Sequence, residues 1–216
     1  MPDFYVHHRV TAQPREWNSV AEKLRASADE QFSERGGALY GVWRSQIGRP
    51  RDELAVVTVW PDEESASDAE TMLLDGLGNV VGCSSECMVP TLRPQSTTPP
   101  RRQGNYAFRW FKTPPANWDE FLALCEAAWP GFESAYDSQV VGLWRFLDEG
   151  EGLRKSLLMT RRPDLAMWER SKIPSGEAEA EVRRQLSRRY DLCDWTCVHT
   201  TTLIGADDLD DTVRWA

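Results

Sequence analysis

The feature that most constrains this chain is a tetrapeptide that occurs twice. Segment 41–44 reads Gly-Val-Trp-Arg, and segment 142–145 reads Gly-Leu-Trp-Arg, 101 positions later. The same offset relates Trp17 to Trp118. A constant offset over so many residues is typical of a tandem repeat of one structural unit. Such a repeat constrains the architecture more strongly than any single helix or strand does.

Length and charge limit the possible classes. The 216 residues allow two units of about 100 residues each. The net charge of −9 argues against nucleic acid and against anionic membrane surfaces as partners, because both attract basic proteins. No segment reaches the ~18 consecutive apolar residues that span a bilayer. The N-terminal sequence lacks the pattern of a signal peptide, and five cysteines favour free thiols, so we expect a cytoplasmic protein.

The first half contains apolar runs typical of strands and stripes typical of helices. Residues 17–32 place apolar side chains at three- and four-residue steps, and residues 54–60 are β-branched and nearly continuous. On the first strand, Val6, His8 and Val10 share one face. The predicted strands are 4–10, 38–44, 54–60 and 86–92, and the predicted helices are 17–32 and 62–74.

The second half repeats this order after a proline-rich segment. Predicted strands are 106–111, 140–146, 153–160 and 195–203. The first helix of this half contains Pro130, which predicts a shorter or bent helix than its counterpart. The second helix covers about 165–190 with an interruption at 173–176. The predicted organisation is therefore a first repeat at 1–94, a linker at 95–104, a second repeat at 105–205 and an acidic tail at 206–216.

The β-α-β-β-α-β order is that of the ferredoxin-like unit, an antiparallel sheet with both helices on one face. The other face of each sheet must also be covered. The sequence therefore predicts an α+β protein whose two tandem repeats close their sheets into a pseudo-dimeric α/β barrel. Further homodimerisation is an additional expectation.

Several segments resemble the dimeric α/β-barrel superfamily and, within it, the NIPSNAP-like group. These segments are 5–9, 39–44, 56–61 and 88–94 in the first half, and 106–109 and 142–145 in the second. The superfamily includes cofactor-independent monooxygenases, isomerases, haem-dependent enzymes and stress-induced proteins, whereas the NIPSNAP-like group has no settled chemistry. The resemblance therefore implies a fold without a specific reaction. It also implies an arginine in the first strand, where this chain has His8, while Arg109 fills that place in the second half.

His8 is the candidate catalytic residue, because a neutral histidine on a strand can accept a proton near neutral pH. The alternative is a half-buried histidine that is hydrogen-bonded to the backbone, or a histidine at the surface. His199, on the last predicted strand, could serve as a haem or metal ligand, although no cluster of ligands accompanies it.

Arg44, Arg109 and Arg145 are candidate ligand-binding residues, because a strand arginine needs an acidic partner or an anion. A structural salt bridge would satisfy them equally well. Trp43, Trp144 and Tyr106 could form an aromatic wall for a planar ligand, and a role in the core is the alternative.

Metal and nucleotide chemistry lack support in the sequence. The pairs Cys83/Cys87 and Cys193/Cys197 have a four-residue spacing without matching histidines, so buried free thiols are expected and no metal site is predicted. No glycine-rich phosphate loop or serine-nucleophile motif is present.

The sequence thus predicts a small-molecule ligand, aromatic or carboxylated, and no tightly bound cofactor. Catalysis as a cofactor-independent monooxygenase or isomerase is one form of this prediction. The alternatives are a non-catalytic scaffold or interaction protein and a haem-binding protein. Whether the chain is an enzyme stays open.

Overall fold

The computed structural model describes residues 3–206, so the predicted acidic tail lies outside them from residue 207 onward. Eight strands are present: β1 Phe4–Ala12, β2 Ala38–Ile47, β3 Glu53–Trp60, β4 Val80–Arg93, β5 Asn105–Thr113, β6 Gln139–Phe146, β7 Arg154–Arg162 and β8 Trp195–Leu203. Six α-helices accompany them: α1 Trp17–Ser33, α2 Glu63–Ser67, α3 Ala69–Leu74, α4 Trp118–Ala135, α5 Leu165–Arg170 and α6 Glu177–Asp191.

The strands form a closed ring in the order β1-β3-β2-β8-β5-β7-β6-β4. This ring confirms the predicted α+β class and the pseudo-dimeric α/β barrel of two ferredoxin-like repeats. Within the described range, none of the helices has the length and apolarity needed to cross a bilayer.

The chain divides into two compact units. The first unit contains the residues up to Pro90, residues 95–103 and the residues from His199 onward, and the second contains residues 91–94 and 104–198. Residues 91–93 of β4 therefore belong to the second unit, whereas the earlier part of that strand belongs to the first. Residues 195–198 of β8 belong to the second unit, and residues 199–203 belong to the first. The predicted domain boundaries at residues 94 and 105 stay predictions.

In the first unit, α1 packs on the sheet through its apolar stripe. Val20, Ala21 and Leu24 from this helix are buried against Val6 and Val10 of β1. Val6, His8 and Val10, which were predicted to share one face of β1, therefore lie on the side of the sheet that faces the helices. Helices α2 and α3 add smaller apolar residues to the same core.

The second unit repeats this arrangement with the same strand register. Arg109 pairs with Leu158 as His8 pairs with Val56, and β2 and β6 both show a register shift just before the repeated glycine. Its core lies between the sheet and α4, where Phe121, Cys125 and Trp129 are buried.

The repeated Gly-x-Trp motif has a packing explanation. The indole of Trp43 lies over Gly41 and that of Trp144 lies over Gly142, so closely that a Cβ atom on either glycine would overlap the ring. Both tryptophans are fully buried. The glycines are therefore needed because the aromatic ring two residues later on the same face occupies the space of a side chain.

Two predictions about the helices and strands need correction. Helix α4 continues through Pro130 to Ala135 and has 18 residues against 17 in α1, so the predicted shortening is wrong. Packing of Trp129 and Phe132 into the core offsets the loss of one backbone hydrogen bond. Strand β4 begins six residues earlier than the predicted 86, because residues 80–88 pair with β1.

We expect Gly142→Ala to lower the free energy of unfolding by about 1–3 kcal/mol, because the added methyl group would force the Trp144 ring out of its position. Urea denaturation followed by tryptophan fluorescence measures this change. Gly150→Ala is the matched control, since the nearest atom to its new Cβ would be 3.8 Å away. Equal stability of the two variants would contradict the packing role of the motif.

Candidate functional site: a cationic cavity in the second unit

A cavity of about 280 Å³ lies in the second unit, between strands β5–β7 and helices α4–α6. Its volume is almost twice the roughly 150 Å³ of an apolar cavity that holds benzene. It is lined by Ala107, Arg109, Phe111, Trp129, Phe132, Val140, Leu158, Thr160, Arg162, Trp168, Ser171, Lys172, Arg183, Leu186, Ser187, Arg189 and Tyr190. The space can therefore accept a substituted aromatic ring.

The charge of this lining is entirely positive. Four arginines and one lysine contribute to it, and no carboxylate from the described part of the chain is among the lining residues. Because the protein as a whole carries a net charge of −9, the cavity is a local concentration of the opposite sign. Buried cations of this kind call for an anion.

The two most buried arginines are held in place by neutral and aromatic groups. Arg162 donates from one terminal nitrogen to Thr160 Oγ1 over 3.1 Å, and its Cζ lies 4.9 Å from the centroid of the Phe132 ring. Arg189 donates to Cys125 Sγ over 3.6 Å, and its Cζ lies 4.9 Å from the centroid of the Phe111 ring. The Nε atom of each is buried and has no hydrogen-bond partner within residues 3–206. The guanidinium groups are thus fixed while part of their donor capacity is unused.

Burial and mutual repulsion lower the pKa values of the cations. Desolvation, followed by the charges of Arg189 and Arg183, lowers the pKa of Arg109 to about 10. Desolvation and the charges of Arg109 and Arg183 lower the pKa of Arg162 to about 9. Each shift records a free-energy cost of holding the charged form in the cavity.

Lys172 lies at the rim of this cluster, directly after helix α5. Lys172 is exposed at the surface, and its Nζ lies 5.4 Å from the centroid of the Trp168 ring. Desolvation, together with the four cavity arginines, lowers the pKa of Lys172 to about 8. A substantial fraction of this amine is therefore neutral at a mildly alkaline pH.

The loop between α5 and α6, which carries Lys172, is anchored by a carboxylate. Glu179 accepts hydrogen bonds from the backbone N–H of Ser175 over 2.8 Å and from Arg170. These hydrogen bonds, led by that from Ser175, lower the pKa of Glu179 to about 2. Glu179 is not among the lining residues, so this anchor places no negative charge in the cavity.

The equivalent positions in the first unit are filled. Where the second unit has Thr160 and Arg162, the first has Thr58 and Trp60, which occupy the same places in the strand register. Trp60 is 1% exposed and donates from Nε1 to Thr58 Oγ1 over 2.8 Å. An aromatic ring thus occupies in one unit the position that a guanidinium occupies in the other.

His8, the predicted catalytic residue, lies in this packed space of the first unit. It is fully buried, with Nδ1 2.7 Å from Ser85 Oγ and Nε2 3.0 Å from Thr58 Oγ1. Burial lowers its pKa to about 3, so the ring is neutral at physiological pH. His8 is not among the residues that line the cavity, and its catalytic role stays a prediction.

Of the predicted ligand-binding residues, Arg109 lines the cavity and the other five do not. Arg145 forms an ion pair with Glu149, and Arg44 lies with its Cζ 3.8 Å from the centroid of the Trp17 ring. Trp43, Trp144 and Tyr106 are fully buried. The structure therefore does not bring these six residues into one site.

His199, the predicted haem or metal ligand, is 5% exposed, and its Nδ1 accepts a hydrogen bond from Arg49 over 3.4 Å. None of the three histidines lines the cavity, so its residues do not fit a haem with a histidine ligand. All five cysteines are free thiols, and Cys197 is exposed, which corrects the prediction that they are buried.

The sequence pattern does not indicate four of the cavity's cations as site residues: Arg162, Lys172, Arg183 and Arg189. Arg183, Leu186, Ser187 and Tyr190 recur at three- and four-residue steps on α6, so they share one face. At an offset of 102 between the halves, Arg162 stands where the first half has Trp60. This difference between the repeats is the sequence signal for a charged site in the second unit.

Comparisons with known proteins identify the fold. The solved structure of an anthrone oxidase-like protein shares 15% identity, with a TM-score of 0.64, and the match covers 97% of this chain and 96% of that one. A provisional monooxygenase from Lactobacillus acidophilus NCFM shares 9% identity, with a TM-score of 0.62 and 94% of each chain covered.

A mutant chlorite dismutase from Candidatus Nitrospira defluvii shares 9% identity, with a TM-score of 0.62, over 95% of this chain and 92% of that one. The sequence matches no protein-family model and no curated relative. At these identities the similarity shows the dimeric α/β-barrel fold alone.

We expect Arg162→Met to raise the free energy of unfolding of the ligand-free protein by about 1 kcal/mol, because it removes a desolvated cation from a cluster of like charges. Urea denaturation measures the change. Arg184→Met is the control: Arg184 is exposed and paired with Glu177 and Glu181, and its loss should change stability by less than about 0.5 kcal/mol. A clear loss of stability in Arg162→Met would mean that Arg162 supports the fold.

Proposed function

We propose that this protein binds a small organic anion with an aromatic or otherwise apolar body in the cationic cavity of the second unit. The observation that carries the proposal is the presence of five cations and no carboxylate among the lining residues. A carboxylate would accept hydrogen bonds from the arginines, including the unused Nε groups of Arg162 and Arg189. Phe111, Trp129 and Phe132 would contact the apolar part of the ligand.

Catalysis on the bound anion is the second candidate function. It is favoured by the similarity in fold to a provisional monooxygenase and an anthrone oxidase-like protein. Cofactor-independent oxygenase or isomerase chemistry would need a group that accepts a proton from the ligand. His8 was predicted for this role, but in the cavity itself Lys172 is the group whose pKa is nearest to neutrality.

The other sequence-based expectations accompany this proposal. They are a NIPSNAP-like relationship, a cytoplasmic location and a homodimer. The scaffold alternative is weakened by the presence of an open cationic cavity, because a protein that only offers surfaces to partners gains nothing from buried uncompensated charge.

The proposal predicts that mandelate and phenylacetate bind, while benzyl alcohol and benzylamine bind at least tenfold more weakly, because they lack the carboxylate. Isothermal titration calorimetry and the rise in melting temperature with ligand concentration measure this difference. Arg109→Met and Arg162→Met should each weaken mandelate binding by at least about tenfold. Arg184→Met, outside the cavity, should bind as the wild type does; equal binding of benzyl alcohol and mandelate would contradict the proposal.

Binding should also depend on pH. The cavity arginines keep their charge between pH 7 and pH 10, whereas a bound carboxylate favours the charged form of Lys172, whose pKa in the free protein is about 8. Binding therefore takes up protons above pH 7, and the affinity for mandelate should fall about tenfold between pH 7 and pH 10. Calorimetry in two buffers of different ionisation enthalpy measures the proton uptake. An affinity that is constant over this range would mean that the carboxylate lies away from Lys172.

A further inference from the structure

We infer that Lys172 is a nucleophilic amine that captures aromatic 2-oxo acids by forming an imine with their ketone carbon. The inference rests on the proposed function, since the arginines must first hold the carboxylate of the same molecule. It adds a covalent step and a substrate class to the proposed anion site.

The position of Lys172 in the cavity supports this role. It is the one lysine among the lining residues, and all four of its charged neighbours there are arginines. Arginine keeps its proton under all ordinary conditions, whereas lysine can lose one, so the repulsion within the cluster is relieved at Lys172. A lysine placed beside other cations is a known way to obtain a neutral, nucleophilic amine.

The shape and chemistry of the cavity define the ligand. A 2-oxo acid carries its carboxylate directly beside the ketone, so an arginine that holds the carboxylate brings the ketone carbon within the same cluster as the amine. The aromatic walls accept a ring on the other side of the ketone. Lys172 itself lies at the exposed rim beside Trp168, where a ligand would enter.

The reaction balances without a further reagent. The neutral Nζ of Lys172 attacks the ketone carbon, a C–N bond forms and the C=O bond breaks. The oxygen leaves as water with the two protons of the amine, and the imine nitrogen is left bonded to carbon and to the lysine side chain. No electrons are transferred between oxidised and reduced species.

The other lysines provide internal controls. Lys23, Lys112 and Lys155 are the remaining lysines of the chain, and none of them lines the cavity. Lys112 forms an ion pair with Glu151. With a pKa of about 8, Lys172 has on the order of 100-fold more neutral amine at pH 7 than an ordinary lysine.

The test is reductive trapping. The full-length protein is incubated at pH 7.5 with phenylglyoxylate and sodium cyanoborohydride, which reduces an imine to a stable secondary amine. Intact mass spectrometry should show one added phenylglyoxylate less one oxygen atom, and peptide mapping should place it on Lys172 at least tenfold above the other lysines. Lys172→Arg should lose this adduct and Lys112→Arg should retain it.

Mandelate, which has a hydroxyl group in place of the ketone, separates the two proposals. If mandelate binds and phenylglyoxylate leaves no adduct on Lys172, the imine is overturned and the anion site stands. If mandelate does not bind either, the proposed function itself has failed. Labelling spread equally over all four lysines would also overturn the inference, and circular dichroism shows whether the Lys172→Arg variant is folded.

Discussion

In each unit the helices lie over a set of strand side chains, and whatever stands at those positions must either fill the space or leave a cavity. The first unit fills it with His8, Thr58 and Trp60, whose polar atoms bond to one another. The second unit places Arg109, Thr160 and Arg162 in the same register and retains about 280 Å³ of space. The common backbone thus supports a packed core in one unit and a charged cavity in the other.

Charge repulsion explains why the space between the helices and the sheet of the second unit remains open. Arginines that repel one another oppose closure of the helices over the sheet. Desolvation and the same repulsion lower the pKa of Lys172, so the cluster provides both affinity for an anion and a neutral amine. These two effects have opposite pH requirements. A protonated Lys172 helps to hold the anion, whereas nucleophilic attack requires the neutral amine. Conditions near the pKa of Lys172 reconcile them.

The repeat made the fold predictable. A fixed offset and the β-α-β-β-α-β order are enough to predict the closed ring of strands, and β8 was predicted at its observed bounds, residues 195–203. Local rules failed where tertiary packing outweighed them, as at Pro130, whose neighbours Trp129 and Phe132 fix α4 to the core. Of the site, the sequence identified Arg109 alone, because the remaining cations come from the end of β7 and from the α5–α6 region, which pattern analysis does not bring together.

Joining two repeats in one chain makes this asymmetry possible. Identical subunits would carry the same residue at equivalent positions, so the cost of buried arginines would fall on both. In this chain the two repeats differ: the first has Trp60 at the position where the second has Arg162. The closely packed first unit can then contribute stability while the second bears the cost of uncompensated charge. Because stability and function often conflict within one site, dividing them between two copies of a fold removes part of that conflict.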